Sequence, residues 1–203
     1  MIWGNRAVEF GFQKSQMLSV IIPTSESERA VVRTLACLVS GATAGLVREV
    51  ILADAGSTDE IEKVADVAGC RFMLLPGTLG GRLGAAAKAA RGPWLMFLRP
   101  GAVLDPDWVA DVERFLMGAG DVGAAKAAAF RPQAGDGRSL SGQLLLLLRQ
   151  MTSGPSPDHG LLLAKTTYER LGGHGITTRD PERQLIRRIG RRNIAMLRSR
   201  VSG

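Results

Sequence analysis

At 203 residues the chain is long enough for one α/β domain with a sizeable core, and no stretch reads as a linker to a second domain. Hydrophobic residues make up 45% and aromatics 5%, which implies an aliphatic, alanine-rich core, and no apolar run approaches the roughly 20 residues of a membrane-spanning helix. The net charge of +7 is uneven: from residue 179 onward eight arginines stand against Asp180 and Glu182, giving +6, so everything before sums to about +1.

Residues 1–16 carry little periodic pattern, read as a ragged extension, and lack the basic-then-apolar layout of a signal peptide; the predicted domain is 17–203. "LSVII" (18–22), ending at Pro23, reads as a strand buried on both faces. Residues 26–40 set Val31, Leu35, Leu38 and Val39 on one helical face. "EVILA" (49–53) is a second strand, and Ser57 with Glu60 forms a Ser-x-x-Glu capping box for a helix running to about Ala68. "RFMLL" (71–75) is a third strand, the alanine-rich 83–91 a third helix and "WLMFL" (94–98) a fourth strand. "DPDW" then opens a helix to Leu116, with Pro106 suited to its first turn.

Three strand–helix units followed by a strand predict an α/β fold with a single doubly wound, mostly parallel sheet. The second half is less regular. It offers a strand within 121–130, a glycine-rich loop, an apolar helix at 139–151 that contains "LLLLL" (144–148), and the strand "GLLLA" (160–164). A helix ending in Gly172-Gly173, one from Pro181 to Ile189 and a last strand, "NIAML" (193–197), follow.

Cys37 and Cys70 are far apart, form no Cys-x-x-Cys pair and read as small buried hydrophobes in a reducing compartment. With no spanning segment, the expected location is cytoplasmic, with peripheral attachment at the inner face of the membrane as an addition. The arginine-rich 179–203 segment reads first as a solvated face and second as an attraction to an anionic membrane surface or a phosphorylated ligand. Nucleic acid is not favoured, because the arginines are not interleaved with stacking aromatics.

Asp54, where the second strand runs out into "AGSTDE", stands where open α/β sheets place their ligands. It can accept from an N–H or a hydroxyl of a ligand, or cap the turn that follows; the ligand role is favoured. Asp59 reads as a structural helix-start acid. No Gly-x-Gly-x-x-Gly follows the first strand and no Gly-x4-Gly-Lys-Ser/Thr occurs anywhere. The loop "GGRLG" (80–84) is discounted as a nucleotide loop, since it follows the third strand.

"SVIIPT", "EVILADAGSTDE" and "ARGPWLMFLRPGAVLDPDW" together resemble the family 2 glycosyltransferases of GT-A fold, the nucleotide-diphospho-sugar transferase architecture. "PDHGLLLAKTTYERLGGHG" (157–175) and "DPERQLIRRIG" (180–190) bring the resemblance closer to the short bacterial subgroup of selenodomain-associated transferases, over about residues 17–197. The resemblance implies a nucleotide-sugar donor, UDP-linked by analogy, held by Asp54 with Thr24 facing the same crevice. It implies a catalytic base in the acidic pair that begins the late helix, which falls on Glu182, with Pro181 in the first position and Asp180 just before. It also implies an acceptor-side acid at Asp158. Asp180 and Glu182 read equally well as acids favoured by a helix N-terminus.

The chain departs from the pattern where the family has Asp-x-Asp, the ligands of a divalent manganese or magnesium ion. Those positions are Arg99-Pro100-Gly101, while Asp105 and Asp107 sit on the following helix start. The family's residues after the first strand are altered to "TSESE", and its third-helix asparagine to Gly84. No cofactor is therefore expected and a metal is in doubt. Arg82 and Arg99 are placed to neutralise a diphosphate instead. The competing expectation is a catalytically silent domain that binds a nucleotide or a partner.

Overall fold

A computed structural model describes residues 17–119, 126–133 and 156–203. The chain-order elements begin with β1 (Leu18–Thr24), α1 (Glu28–Thr43), β2 (Val47–Asp54), α2 (Ile61–Ala68), β3 (Arg71–Leu74), α3 (Leu79–Ala89), β4 (Trp94–Phe97), β5 (Val103–Leu104) and α4 (Trp108–Gly118). They continue with β6 (Ala127–Pro132), β7 (Leu161–Ala164), α5 (Lys165–Arg170), α6 (Pro181–Ile189) and β8 (Ile194–Ser202). Single 3₁₀ turns cover Pro157–His159 and Arg191–Asn193. The expected apolar helix at 139–151, the glycine-rich loop before it and the N-terminal extension lie outside the described residues.

The eight strands form one sheet in the order β3-β2-β1-β4-β7-β6-β8-β5. β1, β2, β3 and β4 pair in parallel, as crossover helices require. β7 then joins β4 antiparallel and β6 joins β7 antiparallel, while β8 runs parallel to β6. The sheet is thus parallel in its first half and mixed in its second.

Strict alternation along each strand divides the core in two. Val20, Ile22, Val50 and Leu52 face α1, α2 and α4 through Val31, Leu38, Ile61 and Trp108. Ile21, Ile51, Leu95 and Phe97 face α3, α5 and α6 through Leu83, Tyr168, Leu185 and Ile186. Both faces of the sheet are covered at its centre, which explains why β1, β2, β4 and β7 read as near-continuous apolar runs rather than alternating ones. Cys37 and Cys70 pack against the first cluster, in keeping with their reading as small hydrophobes.

Several boundaries differ from expectation. α2 starts at Ile61 with Glu60 as its N-cap residue and no side-chain cap, because the Ser57 hydroxyl is spent on Asp54 instead. α3 starts at Leu79 and includes "GGR", capped by the Thr78 hydroxyl, which accepts from the Gly81 N–H at 3.2 Å. The glycine at 80 is required there: a Cβ on it would meet the Gly175 carbonyl oxygen. α4 begins at Trp108, two residues later than Pro106 suggests. β8 runs on to Ser202, locked by Asp111 of α4, which accepts from the Ser199 N–H and hydroxyl at 2.6 Å each. The arginine-rich segment is therefore a helix and an internal strand of the sheet.

Candidate functional site

Parallel strands deliver their C-terminal ends to one edge, and three of the expected site residues meet there. Thr24 ends β1 and Asp54 ends β2, directly opposite one another in register. The Thr24 hydroxyl donates to Asp54 Oδ1 at 2.7 Å, and the Ser57 hydroxyl donates to the same oxygen at 2.6 Å. Oδ2 accepts from the Gly56 and Ser57 N–H groups at 2.8 and 2.7 Å. With 0% of Asp54 exposed, its four acceptor positions are taken by the protein. Burial on its own would raise the Asp54 pKa, but the hydrogen bonds from Ser57, Thr24 and Gly56 outweigh it and hold the carboxyl below its ordinary value. In this geometry Asp54 caps the 54–57 turn, and a nucleotide reaches it only by displacing one of these donors.

Arg82 comes up from α3 beneath the same strand ends. Its Nη1 donates to the carbonyls of Thr24 at 2.6 Å and Ala53 at 3.2 Å, while its buried Nε has no hydrogen-bond partner. Burial lowers its pKa and the Asp54 charge opposes this, with a net fall; an arginine stays charged regardless.

Glu26 and Asp59 complete this edge. Glu26 has φ of 45°, the one positive value outside glycine among the described residues. It accepts from the Thr58 N–H at 2.8 Å and donates its own N–H to Ser57 Oγ at 2.9 Å. Asp59 accepts from the Glu28 N–H at 2.9 Å, so its role is structural, as expected. The "TSESE" departure was the available signal for Glu26, but only the fold brings 26 and 58 together.

The second group lies at the end of β4. Arg99 follows that strand by two residues and its guanidinium forks between two carboxylates: Nη1 to Asp158 Oδ1 at 2.6 Å and Nη2 to Glu182 Oε2 at 2.8 Å. Asp158 is supplied by the 3₁₀ turn before β7 and Glu182 by the first turn of α6. Three distant segments thus converge on one cation. The Glu182 side chain is 10% exposed and that of Asp158 is 62% exposed, so the first pair is fixed and the second exchangeable. Burial alone would depress the Arg99 pKa; the carboxylates of Glu182, Asp158 and Asp180 more than offset it and raise it. Asp180 itself caps α6, accepting from the Arg183 N–H at 3.0 Å and pairing with the Arg183 side chain.

Beside Arg99 opens a cavity of about 530 Å³, within the range that small ligands occupy. Arg99, Pro100, Asp158, His159, Gln133 and Ser202 are among its walls. Thr24, Asp54 and Arg82 do not line it. Burial lowers the His159 pKa, against the opposing charge of Asp158. The contributions of Gln133 and Ser202 were not legible, since β6 and β8 come beside Arg99 only through the sheet order.

The glycosyl transferase family 2 model matches residues 19–188, most of the chain. The chain belongs to glycosyl transferase family 2. No curated protein sequence matches it. Among solved structures, family 2-like in fold, the chain is similar to glucosyl-3-phosphoglycerate synthase from Mycobacterium tuberculosis, solved with Mn2+, UDP and glucosyl-3-phosphoglycerate. The TM-score is 0.64 at 21% identity, over 92% of this chain and 74% of that one. It is similar also to a mannosyltransferase from Pyrobaculum calidifontis in complex with GDP-Man and Mn2+, with TM-score 0.65 at 15% identity over 89% of this chain and 54% of that one. TarS from S. aureus has TM-score 0.66 at 16% identity, over 89% and 58%. At these identities the likeness establishes the GT-A fold.

A divalent ion of the kind those two complexes contain does not fit the residues after β4 here. A Mg²⁺- or Mn²⁺-like ion needs at least one or two carboxylates. Asp158 and Glu182 are the acids that reach this point, and both are bonded to a guanidinium that would repel the ion. Among the described residues no group of three or more His, Cys, Asp or Glu side chains is placed to hold a metal.

Proposed function

We propose that this family 2 domain transfers a sugar from a nucleotide-sugar donor, UDP-linked by analogy with its relatives, and that arginine replaces the divalent ion in neutralising the diphosphate. The observation that carries this reading is the Arg99 guanidinium, held at the end of β4 between Asp158 and Glu182 at the wall of the cavity. A guanidinium has five N–H donors, and these two bonds use two of them. The remaining three, and the position now filled by the exposed Asp158, suit the oxygens of a diphosphate. Arg82 adds a second cation at the neighbouring strand ends.

Glu182 is the base in this scheme: it takes the proton from the acceptor hydroxyl as that oxygen attacks the anomeric carbon and the nucleoside diphosphate leaves. Arg99 holds Glu182 in place and offsets charge on the leaving group, which is worth most in a partly dry site. Asp158, released when phosphate takes its place on Arg99, faces the acceptor side. Asp180 fixes the start of α6 and so positions Glu182.

One observation favours a second reading, a catalytically silent domain that binds a nucleotide or a partner: the Arg99 guanidinium occupies Oε2 of Glu182 at 2.8 Å, an oxygen a base would turn to the acceptor. Incubating the protein with UDP-glucose or GDP-mannose in EDTA, and following nucleoside diphosphate release by chromatography, separates the two. Transfer or slow hydrolysis that falls by about 10²-fold or more in Glu182→Gln supports the enzyme. Binding without release, unchanged by that substitution, supports the silent domain.

A further inference from the structure

The arginines of the late segment are not spread evenly over the surface. Arg179, Arg183, Arg187, Arg188, Arg191 and Arg192 are all exposed, within fourteen consecutive residues. The two acids among them are occupied: Asp180 caps α6 and pairs with Arg183, and Glu182 points inward to Arg99. α6 is sharply two-faced, with Pro181, Glu182, Leu185, Ile186 and Ile189 buried and Arg183, Gln184, Arg187 and Arg188 outward. At 100° per residue the outward set spans one continuous side of the helix, and the 3₁₀ turn extends it through Arg191 and Arg192.

An apolar side chain borders this face. Ile176 is 65% exposed. Its neighbour Gly175 packs against Gln184 on the outward side of α6, and Gln184 in turn accepts from Arg188 at 2.7 Å. The Ile176 carbonyl is fixed by the Thr78 hydroxyl at 3.0 Å, so the side chain is presented from an anchored loop. Cations flanking an exposed aliphatic residue match an interface in which phosphates lie at the surface and acyl chains just below. No exposed aromatic accompanies the cations among the described residues of 171–193, as base stacking would require.

We infer that the outward face of α6, with Arg191, Arg192 and Ile176, is a docking surface for anionic phospholipid bilayers. The surface is separate from the cavity, and nothing in it depends on the donor. Because Glu182 sits on the first turn of the same helix, a docked bilayer lies roughly one helix diameter, about 10 Å, from the candidate base.

Co-sedimentation of the intact protein with vesicles of phosphatidylcholine containing 30% phosphatidylglycerol (roughly a bacterial-like anionic surface) tests this. Screening of the arginine charges is expected to lower binding by about tenfold or more between 50 and 500 mM salt. It is expected to fall at least tenfold in the triple variant Arg187→Gln, Arg191→Gln, Arg192→Gln, and severalfold in Ile176→Asp. A control triple variant on other exposed arginines, Arg29→Gln, Arg33→Gln, Arg91→Gln, is expected to stay within about twofold of wild type. Circular dichroism confirms that each variant is folded. Equal binding to pure phosphatidylcholine, equal losses in the two triple variants, or tighter binding to a single-stranded oligonucleotide than to the vesicles would each overturn the inference.

Discussion

Arg99 joins two carboxylates from distant segments, and its removal should be felt unequally by them. Glu182 is nearly buried, so Arg99→Ala leaves an uncompensated charge; with the arginine itself 43% exposed, solvent screens part of the loss. We expect about 1–2 kcal/mol of destabilisation for Arg99→Ala and under about 0.5 kcal/mol for Asp158→Asn, read from urea midpoints. Equal effects would mean that the two ion pairs are equally exchangeable. Asp54 makes a contrasting case. Its carboxylate satisfies two N–H groups and two hydroxyls at the end of the sheet, so Asp54→Ala should cost about 2–4 kcal/mol, whatever it does to ligand affinity. A variant as stable as wild type would show that the turn does not need its cap.

At the level of elements, α5 and the loop into α6 are held by a buried aromatic cluster. The Tyr168 hydroxyl lies 2.9 Å from His174 Nδ1 and accepts from the His174 N–H at 3.1 Å, with Phe97 of β4 stacked against Tyr168. Burial, assisted by the charge of Arg188, lowers the His174 pKa to about 4. The folded value lies below the unfolded one, near 6.5, so the unfolded chain binds more protons between them. Stability is complete above about 6.5 and declines as pH falls toward 4, by roughly 3 kcal/mol for His174. His159 is lowered too, and these two are the chain's only histidines, so the window belongs to them. Asp54 and Asp111, also lowered, lose their contribution only at more acid pH. Urea midpoints at pH 7.5 and 4.5 should differ clearly less in His174→Gln than in wild type; an unchanged difference would exclude His174 as the cause.

The elements that were legible share a physical signature. β1, β2, β4, β7 and α6 show as apolar runs or as a two-faced helix, because burial on both sides of a strand or one side of a helix dictates composition directly. The start of α3 was not legible, since glycine at 80 signals a loop locally and is demanded only by Gly175, far along the chain. The ion-paired triad was legible only as three candidate residues. That Arg99 would grip Glu182 and Asp158 depends on β7 pairing antiparallel beside β4, which no local pattern specifies.

For the whole molecule, the sheet delivers two adjacent groups to one edge. One is saturated by its own hydrogen bonds, around Asp54; the other is charged and partly exchangeable, around Arg99 and the cavity. The GT-A fold is retained, and under the proposed function the cation that a metal would provide is the Arg99 guanidinium. The measurement that tests this most directly is a calorimetric titration with UDP and a UDP-sugar, in EDTA and in manganese, on wild type and Arg99→Ala. The account predicts binding in EDTA, a change of less than about threefold on adding manganese, and a loss of at least tenfold, about 1.4 kcal/mol, in Arg99→Ala. Manganese tightening the wild type tenfold or more, with Arg99→Ala binding as wild type does, would contradict it.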